Sequence, residues 1–291
     1  SSMEALAQGG AFDSFEGLHR AQFFHRESSE DTTFLEKLIR FGGSYQAMQQ
    51  SSQQSLFGDL GPVEIPDLKL PDCQPWSNIE KLKREKAIAS FFISGHPLDE
   101  YRFDIETFCN STIKKLKDNL EAASTRDIYI AGIVSKVRHE VAKNGNPYGR
   151  FTLEDFDDSL ELSLFKEDYL KNKHMLVDDA IVYVKLRTAA RWGSDQFEPR
   201  IQRISLLSDV MDEMAKGLIL QVPIDNLNEP LTNHIVDTLQ KNKGNCRVKV
   251  EFFDFVNNYK VETSSAKYKV LCSGATRQLR MVPGIHVKVK T

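Results

Sequence analysis

At 291 residues the chain is long enough for about two domains, and with 41% hydrophobic and 27% charged residues it has the make-up of an ordinary soluble protein. Apolar runs such as Ala180-Ile181-Val182-Tyr183-Val184 are far short of the roughly 20 residues a membrane-spanning helix needs, so no membrane role is expected. A net charge of −3 excludes nucleic-acid binding by bulk basicity and requires local segregation of charge instead.

The first elements read as helical. After the turn Gly9-Gly10-Ala11-Phe12-Asp13, the apolar positions Phe15, Leu18 and Phe23 suggest one helix. Thr33 then caps another, in which Phe34, Leu38 and Phe41 share a face and Gly42-Gly43 marks the end. A polar stretch follows, Gln49-Gln50-Ser51-Ser52-Gln53-Gln54-Ser55-Leu56-Phe57-Gly58, and Pro62, Pro66, Pro71 and Pro75 punctuate what comes after it. Leu56 and Phe57 are the anomaly, two large apolar side chains in a linker. On peptide chemistry alone they suit a loop anchor better than a docking peptide. Ser77 and Glu80 have capping-box spacing for a helix with Leu82, Ala89, Phe92 and Ile93 on one face, stopped by Ser94-Gly95-His96-Pro97. Pro97 can open a further short helix.

From Arg126 the period changes to two. Strands are predicted over 128–137, 150–154, 160–164, 182–186 and 200–207, with one or two helical turns over 166–173. Gly132 suggests a bulge or sharp bend in the first strand, and Lys143-Asn144-Gly145-Asn146-Pro147 a turn. Five strands with a helix between the third and fourth have the order of an oligonucleotide/oligosaccharide-binding (OB) barrel. The last segment reads as a separate small α+β module. It has a strand at 218–222, a helix on Leu231, Ile235 and Leu239 ended by Gly244-Asn245, a hairpin around Asn257-Asn258, a possible short helix and a closing strand near 285–289. The fold class is therefore multidomain α+β.

Charge is segregated on the barrel. Lys136, Arg138, Lys143 and Arg150 lie on the first hairpin, and Lys185, Arg187, Arg191, Arg200 and Arg203 on the last two strands. Tyr148, Trp192 and Phe197 are placed in or beside the loops that grip single strands in this fold and can stack on bases. A solvated charged surface, with Trp192 and Phe197 covering the barrel mouth, explains the same residues. Cys73, Cys109, Cys246 and Cys272 show no paired spacing, so reduced thiols in a cytoplasmic protein are expected and a structural zinc is not. No secretory leader is read, and Ser1-Ser2-Met3 looks like an expression scar. No phosphate loop, nucleophile elbow, metal run or cofactor motif is found, and Asp157-Asp158 and Asp178-Asp179 suit turns better than metal binding. No catalytic centre is expected.

Gly10-Ala11-Phe12-Asp13, Gln53 to Gly58, Ser94-Gly95-His96-Pro97-Leu98-Asp99-Glu100-Tyr101 and Lys143-Asn144-Gly145-Asn146-Pro147-Tyr148-Gly149-Arg150-Phe151-Thr152-Leu153-Glu154-Asp155 closely resemble the C-terminal half of the bacterial replicative DNA polymerase III alpha subunit. The resemblance extends to about Leu207, and Ser-Gly-His-Pro-Leu-Asp is its most specific part. It implies a partition into the end of a helix-hairpin-helix element (1–48), a linker with a sliding-clamp peptide (49–76), a helical connector (77–125), an OB barrel (126–208) and a tau-binding α+β domain (209–291). It implies that Gln53, Ser55, Leu56 and Phe57 bind the sliding clamp, which reverses the loop-anchor reading. The barrel would face single-stranded template and primer-template DNA, and the last module the tau subunit of the clamp loader. The polymerase carboxylates would lie outside this chain. A stand-alone single-strand-binding protein and the anticodon-binding part of an aminoacyl-tRNA synthetase are the alternatives.

Overall fold

The computed structural model describes residues 1–28, 31–54, 68–190, 196–254 and 256–291, without the side chains of 48–54 and 122. The chain divides into two units, Ser1–Asp99 and Glu100–Thr291.

In the first unit, helix α1 (Ser2–Gly9) opens with a capping box between Ser1 and Glu4 and closes at Gly10 in the left-handed region. Turns then lead to the short α2 (Arg20–Phe24). The helix expected from Phe15 is thus confined to its last residues, and Phe15 stays 57% exposed. Helix α3 (Phe34–Gln54) begins with the reciprocal Thr33–Glu36 cap, as expected. It does not stop at Gly42-Gly43. A glycine in a helix interior costs only about 1 kcal/mol, and no proline follows to remove a hydrogen bond. The expected linker therefore begins as helix, Gln53 lies in the last turn of α3, and Ser55, Leu56 and Phe57 lie outside the described residues. Helix α4 (Asn78–Ala89) starts on Ser77, whose hydroxyl accepts the Glu80 N–H at 3.2 Å. It ends at Ser90, so Phe92 and Ile93 fall beyond its face. The core is Ala7, Phe23 and Leu35, with Phe12, Leu18, Phe24 and Leu38 packed against it.

A buried ionic network joins the two signature motifs of this unit. The Arg20 guanidinium donates to both Asp13 carboxylate oxygens and, through Nη1, to Glu85 Oε1 at 2.6 Å. The other Glu85 oxygen accepts the N–H groups of Ile93 and Ser94 at 2.8 and 2.9 Å. Burial alone would raise the Glu85 carboxyl; the Ser94 N–H, Arg20 and the Ile93 N–H together hold it down at about 2. Gly10 is required beside this network. Its φ is +89°, and a Cβ there would lie 2.2 Å from Arg20 Nη2. The His96 N–H donates to Asp99 Oδ2 at 2.7 Å, and His96 Nδ1 accepts the Leu98 N–H at 3.1 Å, which shapes the chain around Pro97.

The second unit begins with α5 (Arg102–Phe108) and α6 (Ile113–Asp118), then forms the barrel. Strands β1 (Ile128–Val141), β2 (Pro147–Glu154), β3 (Ser159–Phe165), β4 (Ile181–Ala190) and β5 (Phe197–Leu206) pair antiparallel in the order β3-β2-β1-β4-β5. β3 curls round to approach β5, and α7 (Lys166–Asn172) sits between β3 and β4, so the sheet is an OB-type barrel. The alternating residues Leu162, Leu164, Val182, Val184 and Leu186 fill it with Ile128, Ile130, Phe151 and Leu153. Gly132 keeps its regular place opposite Val182 and serves close approach instead, since a Cβ there would lie 2.6 Å from the Glu154 carbonyl oxygen. The bulge comes later, between Ser135 and Arg138, where Lys136 adopts φ +54°.

Helix α8 (Leu207–Met214), absent from the sequence-based prediction, leads into a second sheet. Its strands are β6 (Gly217–Pro223), β7 (Lys243–Asp254), β8 (Tyr259–Val270) and β9 (His286–Lys290), ordered β8-β7-β6-β9. β6 and β7 are parallel, linked through α9 (Glu229–Lys241), which ends at Asn242 because Gly244 already belongs to β7. Helix α10 (Cys272–Arg280) precedes β9. Leu218, Leu220, Val222, Val248 and Val270 pack with Leu207, Val210 and Met211 of α8 and with Leu279 of α10. Ala131 and Tyr183 of the barrel belong to the same core, so the last module is not packed separately from the barrel. Tyr183 alternates with the inward Val182 and Val184 of β4, yet it is only 3% exposed, and its hydroxyl donates to the Phe108 carbonyl at 3.3 Å.

Candidate nucleic-acid interface

The register of β1, β2 and β3 lines up the outward side chains in rows. Arg138 stands opposite Arg150, and Arg150 opposite Ser163. In the next row Glu140 stands opposite Tyr148, and Tyr148 opposite Phe165. Two arginines directly across a sheet repel each other. Arg150 is partly compensated by Glu161, at 3.1 Å from its Nε, while Arg138 is exposed. Lys136 and Lys143 are also exposed, one at the bulge and one in the hairpin turn.

The aromatic row packs ring on ring. Tyr148 and Phe165 stack with centroids 5.6 Å apart and an interplanar angle of 22°. The Tyr148 hydroxyl donates to Glu140, which raises its pKa and fixes the ring. Phe165 remains 58% exposed although it is a large apolar residue on a strand. It was not among the residues singled out from the sequence. The signal was present: Leu160, Leu162 and Leu164 set the inward parity of β3, which turns residue 165 outward.

The cations of β4 and β5 are arranged differently. Lys185 Nζ lies 2.7 Å from Asp127 Oδ2, and Arg187 donates to Asp127 Oδ1. Lys185 and then Arg187 hold that carboxyl below its ordinary range. Arg200 pairs with Glu198 at 3.3 Å and Arg203 with Glu213 at 2.6 Å. Lys185 stands opposite Tyr129 near the start of β1, whereas Arg138 lies past the bulge, nine residues along and roughly 30 Å of strand away. The two basic sets therefore do not form one row. Among the described cations of β4 and β5, Arg200 is the one that lies towards the aromatic face. It lines an open groove of about 460 Å³ between β3 and β5 with Phe165, Ser163, Glu161, Asp168 and Glu198. Phe197 is half-buried opposite Ala190 at the start of β5, and Arg191 and Trp192 lie outside the described residues. Among the described residues no cluster of His, Cys, Asp and Glu is arranged to hold a metal, and no helix is long and apolar enough to cross a membrane.

No family model matches the chain. It is 26% identical to the DNA polymerase III subunit alpha of Escherichia coli O157:H7 over 83% of its own length and 20% of the relative's. The corresponding protein of Pseudomonas aeruginosa is 24% identical over 86% of this chain and 22% of the relative, and that of Saccharopolyspora erythraea 26% identical over 86% and 21%. The chain thus spans about a fifth of the length of the curated relatives it matches. Among solved structures it is similar to the mitochondrial single-stranded DNA binding protein Rim1 of S. cerevisiae (TM-score 0.23, 20% identity, 28% of this chain, 95% of that one). A small single-stranded DNA-binding protein from Streptomyces coelicolor gives a TM-score of 0.22 at 16% identity, covering 28% of this chain and 91% of its own.

Proposed function

We propose that this chain, which resembles the C-terminal region of the DNA polymerase III alpha subunit over most of its length, is a non-catalytic part of a replicative DNA polymerase that holds single-stranded template on the outer face of its barrel. The observation that carries this reading is the Arg138–Arg150 pair beside the Tyr148–Phe165 stack. Cations at that position meet phosphates, and the exposed ring of Phe165 offers a surface on which a base can stack. Carboxylates at Glu140, Glu154 and Glu161 temper the charge, so the binding is weak and salt-sensitive and assists contacts made elsewhere in the polymerase. Lys136, Lys143 and Arg200 border the face, while Lys185 and Arg187 are engaged by Asp127 and contribute less.

In the same reading Gln53, Ser55, Leu56 and Phe57 dock the polymerase on its sliding clamp. Leu56 and Phe57 fill an apolar pocket and the Gln53 amide pairs at its rim. Modest affinity becomes durable once DNA is also held, because the second contact is then intramolecular. The last module contacts the tau subunit of the clamp loader, and the protein works in the cytoplasm. The deciding experiment is titration of the chain with a labelled single strand at low and moderate salt. Binding that is salt-dependent and weakened by Arg138→Gln with Arg150→Gln supports the reading. Affinity indifferent to both salt and the double substitution rejects it.

A further inference from the structure

The second sheet carries a concentration of positive charge that the barrel reading does not use. Between the end of α9 and the bulged end of β8 lies a cavity of about 820 Å³, bordered by Lys241, Lys243, Lys267 and Lys269, with Asp237 its one carboxylate among the described residues. The slip in register between Arg247 and Lys249 opens this edge, and the Tyr268 N–H closes the resulting turn on Ser265 Oγ at 2.8 Å. The Tyr268 hydroxyl oxygen accepts from the Gln240 amide at 3.3 Å, and its ring lies under the Lys267 ammonium, 5.3 Å from the ring centroid. Gln240 first and Lys267 second lower the phenol's pKa.

The charge continues across the outward face of the sheet. Lys269 stands opposite Arg247, Arg247 opposite Gly217, and Gly217 opposite Lys290. With strands about 4.8 Å apart, this row spans roughly 14 Å, and the buried Gly217 adds no side chain between Arg247 and Lys290. Lys241, Lys243, Lys269, Arg247 and Lys290 have no ion-pair partner among the described residues. The contrast is on the same sheet. Farther along, Lys249 and Lys260 are each paired with Glu251 and Glu262, as cations on a solvated face commonly are.

We propose that this edge and row form a second nucleic-acid contact, a track for the phosphate backbone of a DNA strand, distinct from the barrel face. Unpaired cations concentrated beside a concave edge focus a positive field, and phosphates are the ligand whose affinity depends on charge alone. An acidic protein partner requires apolar anchors in pockets as well. Here the row carries no apolar side chain, and four of the cavity's ten lining residues are lysine.

The test uses the whole chain and a labelled oligothymidylate. Lys267→Gln with Lys269→Gln, and separately Arg247→Gln with Lys290→Gln, are introduced into the unmodified chain and into one already carrying Arg138→Gln with Arg150→Gln. All four positions are surface sites, and unchanged melting temperatures verify folding. Each pair is expected to reduce the slope of log K against log salt by about 1.4 in both backgrounds. Between about 50 and about 200 mM salt, each variant then loses about sevenfold less affinity than its parent. Full retention of affinity and slope in both pairs overturns the proposal. So does polyglutamate capture that the substitutions abolish while DNA binding stays intact, which would make this face a site for an acidic protein. Because the barrel variant is scored by itself, failure of the barrel face and failure of this track give different patterns.

Discussion

The Arg20 guanidinium lies 2.6 Å from the Glu85 carboxylate, with the two side chains 5% and 0% exposed. Sixty-five positions separate them in the chain. Asp13 at one end and the backbone of Ile93 and Ser94 at the other complete the set, so the Gly-Ala-Phe-Asp turn and the Ser-Gly-His-Pro stretch form one structural element.

Removing Arg20 leaves a buried carboxylate without its cation. Arg20→Met is expected to destabilise the first unit by about 3–5 kcal/mol. Gly10→Ala acts on the same network through its left-handed backbone and the displaced guanidinium. Denaturant unfolding monitored by helical circular dichroism measures both, and a change under about 1 kcal/mol for Arg20→Met would contradict the assignment.

Acid should loosen this unit through the same group. Folded Glu85 titrates near 2 against an ordinary value of 4.5. Its stabilisation is complete above about 4.5 and is lost as pH falls from there towards 2. The stability of Glu85→Gln should depend less on pH across that window. An identical acid transition in the two proteins would exclude Glu85 as the titrating group.

On the barrel, Phe165→Ala is expected to cost about 1–3 kcal/mol in single-strand affinity, with little effect on folding because the ring is exposed. Lys185→Gln with Arg187→Gln should affect binding less than Arg138→Gln with Arg150→Gln, since both cations of the former pair are held by Asp127 whereas Arg138 is exposed beside the aromatic row. The reverse ranking in an anisotropy titration would move the interface to β4 and β5.

Leu56→Ala with Phe57→Ala is expected to abolish capture of the chain by a sliding clamp while leaving its melting temperature unchanged. Equal recovery of the double variant in a clamp pull-down would return the pair to the role of a loop anchor.

Burial pushes the Cys109 thiol up to about 12 and raises Cys272 as well. Both should resist alkylation near pH 8 in the folded chain and react in denaturant. Rapid labelling of Cys109 under native conditions would show that the α5–β1 region opens.

Much of the fold was legible because its signals are local. Leu160, Leu162 and Leu164 declare a strand by parity alone, and Ser77 with Glu80 and Thr33 with Glu36 declare helix starts through hydrogen bonds three residues apart. Gly42-Gly43 misled because a helix tolerates glycine when the hydrogen bonds on either side persist. Tyr183 departs from the simple alternation of β4 because α5 and the second sheet cover that side of the strand at its position.

The candidate site shows the boundary most clearly. The sequence by itself determined the succession of barrel strands along the chain, the inward leucines and valines, and the supply of arginines, lysines and aromatics. Which of these meet was decided only by tertiary structure. The extra residue at the Lys136 bulge shifts the β1–β2 register by one, and that shift sets Arg138 opposite Arg150 and Glu140 opposite Tyr148. The long-range carboxylate Asp127 then engages both Lys185 and Arg187. Side-chain parity is a local property of the chain, while cross-strand partners and ion pairs depend on register and on distant segments, which no short window of sequence contains.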